Sequence, residues 1–249
     1  MATLRDDLIR QGNWLFCRRT YGPLLIAPVL FVALTHADIL ERVAGHGIDT
    51  CWKLLCVGIA VAGIAVRCLV AGFVPAGTSG RNTQGQEAAG LNTTGVYSAV
   101  RHPLYLGNFL SMLGVVMFLE VWWFTVICCL AFWLYYERII LAEEEFLSQR
   151  FGAAFREWAS ATPAFLPRFR QWRPAALPIS WKTMVRREFS GVCLIMAAFV
   201  LLEVLGDGLA EHEWAFDAWT QIVFGVGLVT YVTLAALKRK TLVFRVDGR

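Results

Sequence analysis

Four stretches of the chain, residues 21–40, 52–74, 121–141 and 218–237, run with very few charges over the length an α-helix needs to cross a bilayer. A hydrocarbon core about 30 Å thick takes roughly 20 residues at 1.5 Å each, and inside it backbone N–H and C=O groups can bond only to one another. Helices answer both demands. Two shorter runs, 104–119 and 190–205, the second interrupted only by Glu203, bring the expected number of spans to about six. The predicted fold class is all-α: a polytopic membrane helix bundle with about six transmembrane helices and additional amphipathic interfacial helices. Composition agrees, since 57% of the residues are hydrophobic and 17% are charged.

Orientation is read from Lys and Arg, which accumulate on the cytoplasmic side of spans. Arg5, Arg10, Arg18 and Arg19 precede the first span, Arg81 and Arg101 lie between the second and third, a basic series runs from Arg138 to Arg187, and Lys238, Arg239, Lys240, Arg245 and Arg249 follow the last. The opposite connections carry only Arg42 and Lys53, and residues 203–217 are acidic with no Lys or Arg. Both termini are therefore expected in the cytoplasm. The net charge of +4 is explained by this topology and by attraction to anionic headgroups, so no nucleic-acid partner is expected. Asp6 and Asp7 stand where a cleavable signal peptide would be basic, which argues against one. The seven cysteines show no metal-ligand spacing; Cys56, Cys68, Cys128, Cys129 and Cys193, within apolar stretches, read as buried thiols, and no metal is expected.

Between the second and third spans lies Gly95-Val-Tyr-Ser-Ala-Val-Arg-His-Pro-Leu-Tyr-Leu-Gly107. Proline suits the first position of a helix, where its missing N–H is no loss, so the third span is predicted to begin at Pro103. A helix N-terminus beside Arg101 and His102 is suited to a carboxylate or phosphate at the bilayer edge. The preceding segment, 75–94, is rich in Gly, Ser, Thr, Asn and Gln and must be a cytoplasmic loop lying over something. Gly107, Ser111 and Gly114 form a stripe without bulk, and the tight 120–123 connection makes the fourth span its expected partner. Arg67, near the sequence end of its span, is expected to snorkel to the interface or to meet an anionic group.

The fourth span returns with acid: Glu137, Arg138, Glu143 and Glu144. Glu137 and Glu144, seven apart, share a helix face at the height of Arg101 and His102, and ionisable groups at that depth normally have a partner or a task. Beyond them Leu147, Phe151, Phe155 and Trp158 mark an amphipathic helix on the membrane, ended by Pro163 and Pro167. Residues 1–20 read as an interfacial helix with Trp14 and Phe16 at headgroup depth. A basic linker, 168–187, leads to two last spans that read as packing elements without a polar constellation. The chain thus divides into an N-terminal region, 1–71, a core with its loop and hairpin, 72–169, and a C-terminal region, 170–249.

In their order and spacing, Gly95-x-Tyr97-x-x-x-Arg101-His102-Pro103-x-Tyr105-x-Gly107, Glu143-Glu144-x-x-Leu147-x-x-x-Phe151-Gly152 and Pro163-x-Phe165-Leu166-Pro167 resemble the isoprenylcysteine carboxyl methyltransferases and the related phospholipid methyltransferases. The resemblance covers roughly residues 72–169. It departs at Phe155 and Trp158, where the family commonly has tyrosines, so no role falls to a hydroxyl there. It implies a membrane enzyme using S-adenosylmethionine, with His102, Pro103, Tyr105, Gly107, Glu143 and Glu144 around the cofactor and Arg101, Arg138 and Glu137 toward the reaction. The implied acceptor is a lipid or lipid-linked molecule entering from the bilayer, with an anionic oxygen, carboxylate or phosphate, as the first expectation and a phospholipid amine as the alternative. Two other classes compete: an NADPH-dependent sterol-type reductase, disfavoured by the Glu143-Glu144 and Phe151-Gly152 tail, and a non-catalytic scaffold or transporter, which leaves the motif order unexplained.

Overall fold

A computed structural model describes residues 3–18, 26–37, 43, 45–75, 77–78, 86–210, 218–240, 244 and 246. Among them the helices are α1 (Leu4–Cys17), α2 (Ala27–Leu34), α3 (His46–Phe73), the single turn α4 (Val96–Ala99), α5 (Pro103–Met117), α6 (Trp122–Phe151), α7 (Ala153–Ala161), α8 (Trp181–Ala210) and α9 (Ala218–Lys240), with no strand among the described residues. The all-helical membrane class holds. Among the described residues four helices are long and apolar enough to cross a bilayer: Gly47–Phe73, Trp122–Phe151, Trp181–Gly206 and Thr220–Arg239. Helix α5 has only 15 residues, about 22 Å at 1.5 Å per residue, and falls short of the hydrocarbon thickness. Of the stretch 21–40 the structure describes α2 and its surroundings; positions 21–25 and 38–40, together with Arg19, Arg42, Arg81, Arg245, Arg249 and the acidic connection 211–217, lie outside the described residues.

Helices α3 and α5 pack on each other most extensively among the described residues, and this corrects the expectation that the small-residue stripe meets the following helix. A Cβ on Gly114 would lie 2.4 Å from the Cys56 carbonyl oxygen, and one on Gly63 would lie 2.6 Å from that of Gly107. Ser111 Oγ donates to the Ala60 carbonyl at 3.5 Å. Both helices are small along this line, Cys56, Ala60 and Gly63 against Gly114, Ser111 and Gly107, so the backbones approach on both sides. Helix α6 instead receives α1: a Cβ on Gly12 would sit 2.0 Å from the Arg138 carbonyl oxygen. Phe16 is consequently buried against Tyr105 and Ile139.

Two further expectations change. The amphipathic stripe from Leu147 to Trp158 does not lie on one helix, because α6 stops at Phe151 and Gly152 turns the chain with φ of 56°, a left-handed conformation that glycine adopts without steric cost. Helix α7 then packs back on the protein, with Phe155 buried. The basic linker is also shorter than expected: α8 begins at Trp181, so Lys182, Arg186 and Arg187 are helical, and the C-terminal pair is not without polar structure. Glu188 on α8 is 5% exposed and pairs with Arg67 of α3 at 2.7 Å.

Candidate functional site

The Gly95–Gly107 stretch is held in shape by the segment after α7. Arg101 N–H donates to the Pro163 carbonyl at 2.9 Å, His102 N–H to Ala164 at 3.2 Å, Arg168 N–H to Ala99 at 2.9 Å and Gly95 N–H to Arg173 at 2.9 Å. The Trp158 indole N–H donates to the Tyr97 carbonyl at 3.2 Å. The Pro163-x-Phe165-Leu166-Pro167 motif therefore works through main-chain bonds that fix the residues before α5. Phe165 adds ring contacts at 5.8 Å to both Phe109 and Trp133. Pro103, fully buried, opens α5 as predicted, and His102 is the N-cap residue without capping through its side chain.

Freed from capping, the His102 side chain turns to the acids of α6. His102 Nε2 lies 2.9 Å from Glu144 Oε1 and Nδ1 lies 3.7 Å from Glu143 Oε2. Arg101 Nη1 meets Glu144 Oε1 at 3.1 Å, and the Tyr105 hydroxyl donates to Glu143 Oε2 at 2.8 Å. Tyr105 also stacks on the His102 ring with centroids 5.7 Å apart. Two carboxylates thus face an arginine, a histidine and a phenol across two neighbouring helices. Carboxylates only accept, so His102 donates to Glu144 through Nε2–H. Burial pushes the His102 imidazole toward neutrality, but the hydrogen bonds and negative charges of Glu143 and Glu144 outweigh it and hold its pKa above the ordinary histidine value.

Arg101, His102, Tyr105 and Glu143 line a cavity of about 110 Å³ roofed by residues of the polar loop, among them Glu87, Ala88 and Asn92, while Glu144 stands behind Arg101 and His102. Phe16 of α1 and Trp158 of α7 close its sides. The roof is tied down at Gln86, whose amide donates to Asn13 Oδ1 of α1 at 3.3 Å, and at Asn92, which donates to the Thr78 carbonyl at 3.1 Å. Among the described residues Arg101 Nε–H is buried without a hydrogen-bond partner, and Arg101 is one of the residues that line the cavity. No group of His, Cys, Asp and Glu among the described residues is arranged to hold a metal ion.

A second chamber, about 1050 Å³, lies on the other side of Tyr105 and Leu104, which line both cavities. Here Arg67 does not snorkel: its Nε and Nη2 donate to Glu188 Oε2 at 2.8 and 2.7 Å, and its Nη1 donates to Asn108 Oδ1. Asn108 in turn donates to the Tyr136 hydroxyl at 3.1 Å, and the Tyr136 ring lies 4.9 Å from that of Tyr105. A continuous line of contacts runs from α8 through α3 and α5 to α6. Glu188, Asn108 and Tyr136 were missed in the sequence; an acid within the first turns of an apolar helix was the available signal, and Arg67 was the residue that needed it.

Other predicted residues lie elsewhere. Gly107 faces α3, where a Cβ would come within 2.7 Å of Arg67 Cγ, so its bareness leaves room for the arginine stem. Arg138 turns to α1, with Nε donating to Gln11 Oε1 at 2.9 Å. Glu137 is exposed and outside both cavities.

Comparison with known proteins gives matches to part of the chain. The phospholipid methyltransferase family model matches residues 54–154. Over 83 residues the chain is 43% identical to the cobalt-zinc-cadmium resistance protein CzcN of Cupriavidus metallidurans, covering 33% of this chain and 38% of that one. Over 83 residues it is 42% identical to the nickel-cobalt-cadmium resistance protein NccN of Alcaligenes xylosoxydans xylosoxydans, with the same coverage of 33% and 38%. Over 77 residues it is 34% identical to protein-S-isoprenylcysteine O-methyltransferase of Schizosaccharomyces pombe, covering 31% of this chain and 33% of that one. The chain thus spans less than two fifths of the length of each of these curated relatives. No solved structure matches. The matched segment includes Arg67, Arg101, His102, Tyr105, Glu143 and Glu144, whereas α8 and α9 lie outside it.

Proposed function

We propose, from the place of residues 54–154 in the isoprenylcysteine and phospholipid methyltransferase family, that this integral membrane protein uses S-adenosylmethionine to methylate a lipid or lipid-linked acceptor. The observation that carries the reading is the closure of Arg101, His102 and Tyr105 on Glu143 and Glu144 beneath the polar loop. The donor set fits the cofactor's amino-acid end, which presents a carboxylate and an ammonium. The buried Arg101 Nε–H and the N-terminus of α5 suit the carboxylate, and Glu143 or Glu144 suits the ammonium or a ribose hydroxyl. At about 110 Å³ the cavity is smaller than the roughly 300–1,000 Å³ usual for small-molecule sites, so the roof over Glu87 to Asn92 lifts as the cofactor enters.

Bound there, S-adenosylmethionine would supply an electrophilic methyl on a cationic sulfur, which an anionic oxygen can accept with the loss of one negative charge and no proton to move. An anionic oxygen, carboxylate or phosphate, is accordingly the favoured acceptor. The chain's own contribution is alignment and exclusion of water, through the walls that Phe16, Tyr105 and Trp158 provide. Arg138 acts at one remove, by holding α1 and with it Phe16 in place. The family model's description, phospholipid methyltransferase, supports a phospholipid acceptor; a phospholipid amine is the second reading, in which a carboxylate must also take a proton.

The distribution of Lys and Arg supports a topology with both termini in the cytoplasm, the side from which the cofactor would enter. Calorimetry on purified protein tests the assignment: saturable binding of S-adenosylhomocysteine and none of NADPH is expected. The reverse pattern would move the chain to the reductase class. Mass analysis of membrane lipids with and without the protein then identifies the acceptor as the species shifted by one methyl.

A further inference from the structure

The segment after α7 that holds the Gly95–Gly107 stretch in shape has an outer face as well as an inner one. From Pro163 to Ser180 it carries Arg168, Arg170 and Arg173 and no Asp or Glu. Interleaved with these arginines, Leu166, Phe169 and Trp172 are 78%, 71% and 48% exposed. The three arginines are exposed too, and none of them pairs with a carboxylate among the described residues. The depth of this face is set by Phe165, whose ring lies 5.8 Å from that of Trp133. Trp133 is itself 54% exposed on the membrane-crossing helix α6, so the segment leaves the protein at the boundary with lipid. Two of the arginines also reach the site through their main chain. Arg168 N–H donates to the Ala99 carbonyl; Arg173 N–H donates to Ser98 Oγ at 2.9 Å, and its carbonyl accepts from Gly95 N–H.

We propose that residues 166–173 are a seat for the headgroups of anionic phospholipids, and that its occupation steadies the Arg101–His102 stretch through these main-chain bonds. The rings enter the acyl boundary while the guanidinium groups meet headgroup phosphate, the arrangement that favours a basic, aromatic segment at an anionic leaflet. Over a neutral leaflet three like charges crowd within a few residues, and anionic headgroups relieve that repulsion. Pro163, Pro167 and Pro174 fix φ along the segment, so a shift at the arginines is passed to the main chain rather than absorbed by it. Single-stranded nucleic acid also stacks on rings set among arginines, but contact with the lipid-facing Trp133 favours the leaflet. A soluble phosphate makes no use of the rings. Neither the seat nor its coupling depends on the methyltransferase reading.

The test uses the full chain in lipid nanodiscs, of phosphatidylcholine alone and of phosphatidylcholine mixed with phosphatidylglycerol. Hydrogen exchange is followed by mass spectrometry in peptides spanning residues 95–105, which include the Arg101 and His102 amides bonded to Pro163 and Ala164. Exchange there should be about tenfold slower in the anionic discs. Arg168→Gln, Arg170→Gln and Arg173→Gln combined should abolish the difference and leave exchange in neutral discs at the parent's rate. Where the unfolding temperature in neutral discs shows the triple variant to be unstable, Arg170→Gln alone should narrow the difference roughly two- to threefold. Equal exchange in the two discs for the parent, or a difference that survives the arginine substitutions in folded protein, overturns the proposal. So does the same slowing produced in neutral discs by inorganic phosphate or a single-stranded oligonucleotide. S-adenosylhomocysteine binding is measured on the same discs; its absence would sink the methyltransferase reading alone, because the exchange readout contains no cofactor.

Discussion

His102 sits between two carboxylates with only 5% of its surface exposed, and the competition between burial and those charges decides the pH range over which it joins α5 to α6. Its folded pKa lies above the ordinary value of 6.5. The stabilisation it contributes is therefore complete below about pH 6.5 and is lost as pH rises through the higher folded value. Unfolding temperature measured from pH 6.5 upward should fall through that window, and His102→Gln should flatten the dependence. Glu144 carries two of the cluster's contacts, to His102 and Arg101. Glu144→Gln keeps its shape and removes its charge, which for a charge-assisted hydrogen bond costs about 1.5–3 kcal/mol and should weaken S-adenosylhomocysteine binding by roughly ten- to a hundred-fold in calorimetry. Equal affinity in parent and variant would remove Glu144 from the cofactor site.

At the scale of elements, the α3–α5 seam depends on glycines whose absent side chains are occupied by backbone of the other helix. Gly114→Leu would drive its Cβ to 2.4 Å from the Cys56 carbonyl oxygen, and backbone there cannot yield as a side-chain tip can. Overpacking of this kind costs typically about 1–3 kcal/mol, and a lowered unfolding temperature with weakened cofactor binding is expected, because α5 carries Tyr105 and starts at His102. Gly58→Leu is the matched control on α3, since nothing lies within 4 Å of its Cβ position, and it should leave both measurements near the parent. The break at Gly152 has a different role: it turns α7 so that Trp158 reaches Tyr97 and the 163–168 segment reaches Arg101 and His102.

For the whole molecule the issue is which way the bundle sits in the bilayer and how its C-terminal helices are joined to the rest. Cys17, the last residue of α1, and Cys51, near the start of α3, are both exposed, and the proposed topology puts them on opposite sides. In single-cysteine variants a membrane-impermeant maleimide should label Cys17 only from the cytoplasmic side and Cys51 only from the other; the same side for both would sink the topology. The α8 helix is tied to α3 by a pair whose members are 121 residues apart, Arg67 and Glu188, and loss of one member of a buried pair costs about 3–5 kcal/mol. Glu188→Gln should accordingly lower the unfolding temperature more than Glu137→Gln, where the carboxylate is exposed. What sequence alone decided about this protein follows from properties local to the chain. Apolar length selects helices because lipid offers the backbone no other partner, Pro103 starts α5 because of its own ring, and the spacing of Arg101, His102, Glu143 and Glu144 carries the family resemblance. Tertiary structure alone decided that the Gly107–Gly114 stripe meets α3, that Arg67 turns inward to Glu188, that Arg138 is taken by α1, and that a chamber opens between helices the motifs do not reach. Periodicity tells which face of a helix is small or polar, but choice among possible partners rests on which backbones can approach most closely and which charges would otherwise be buried alone.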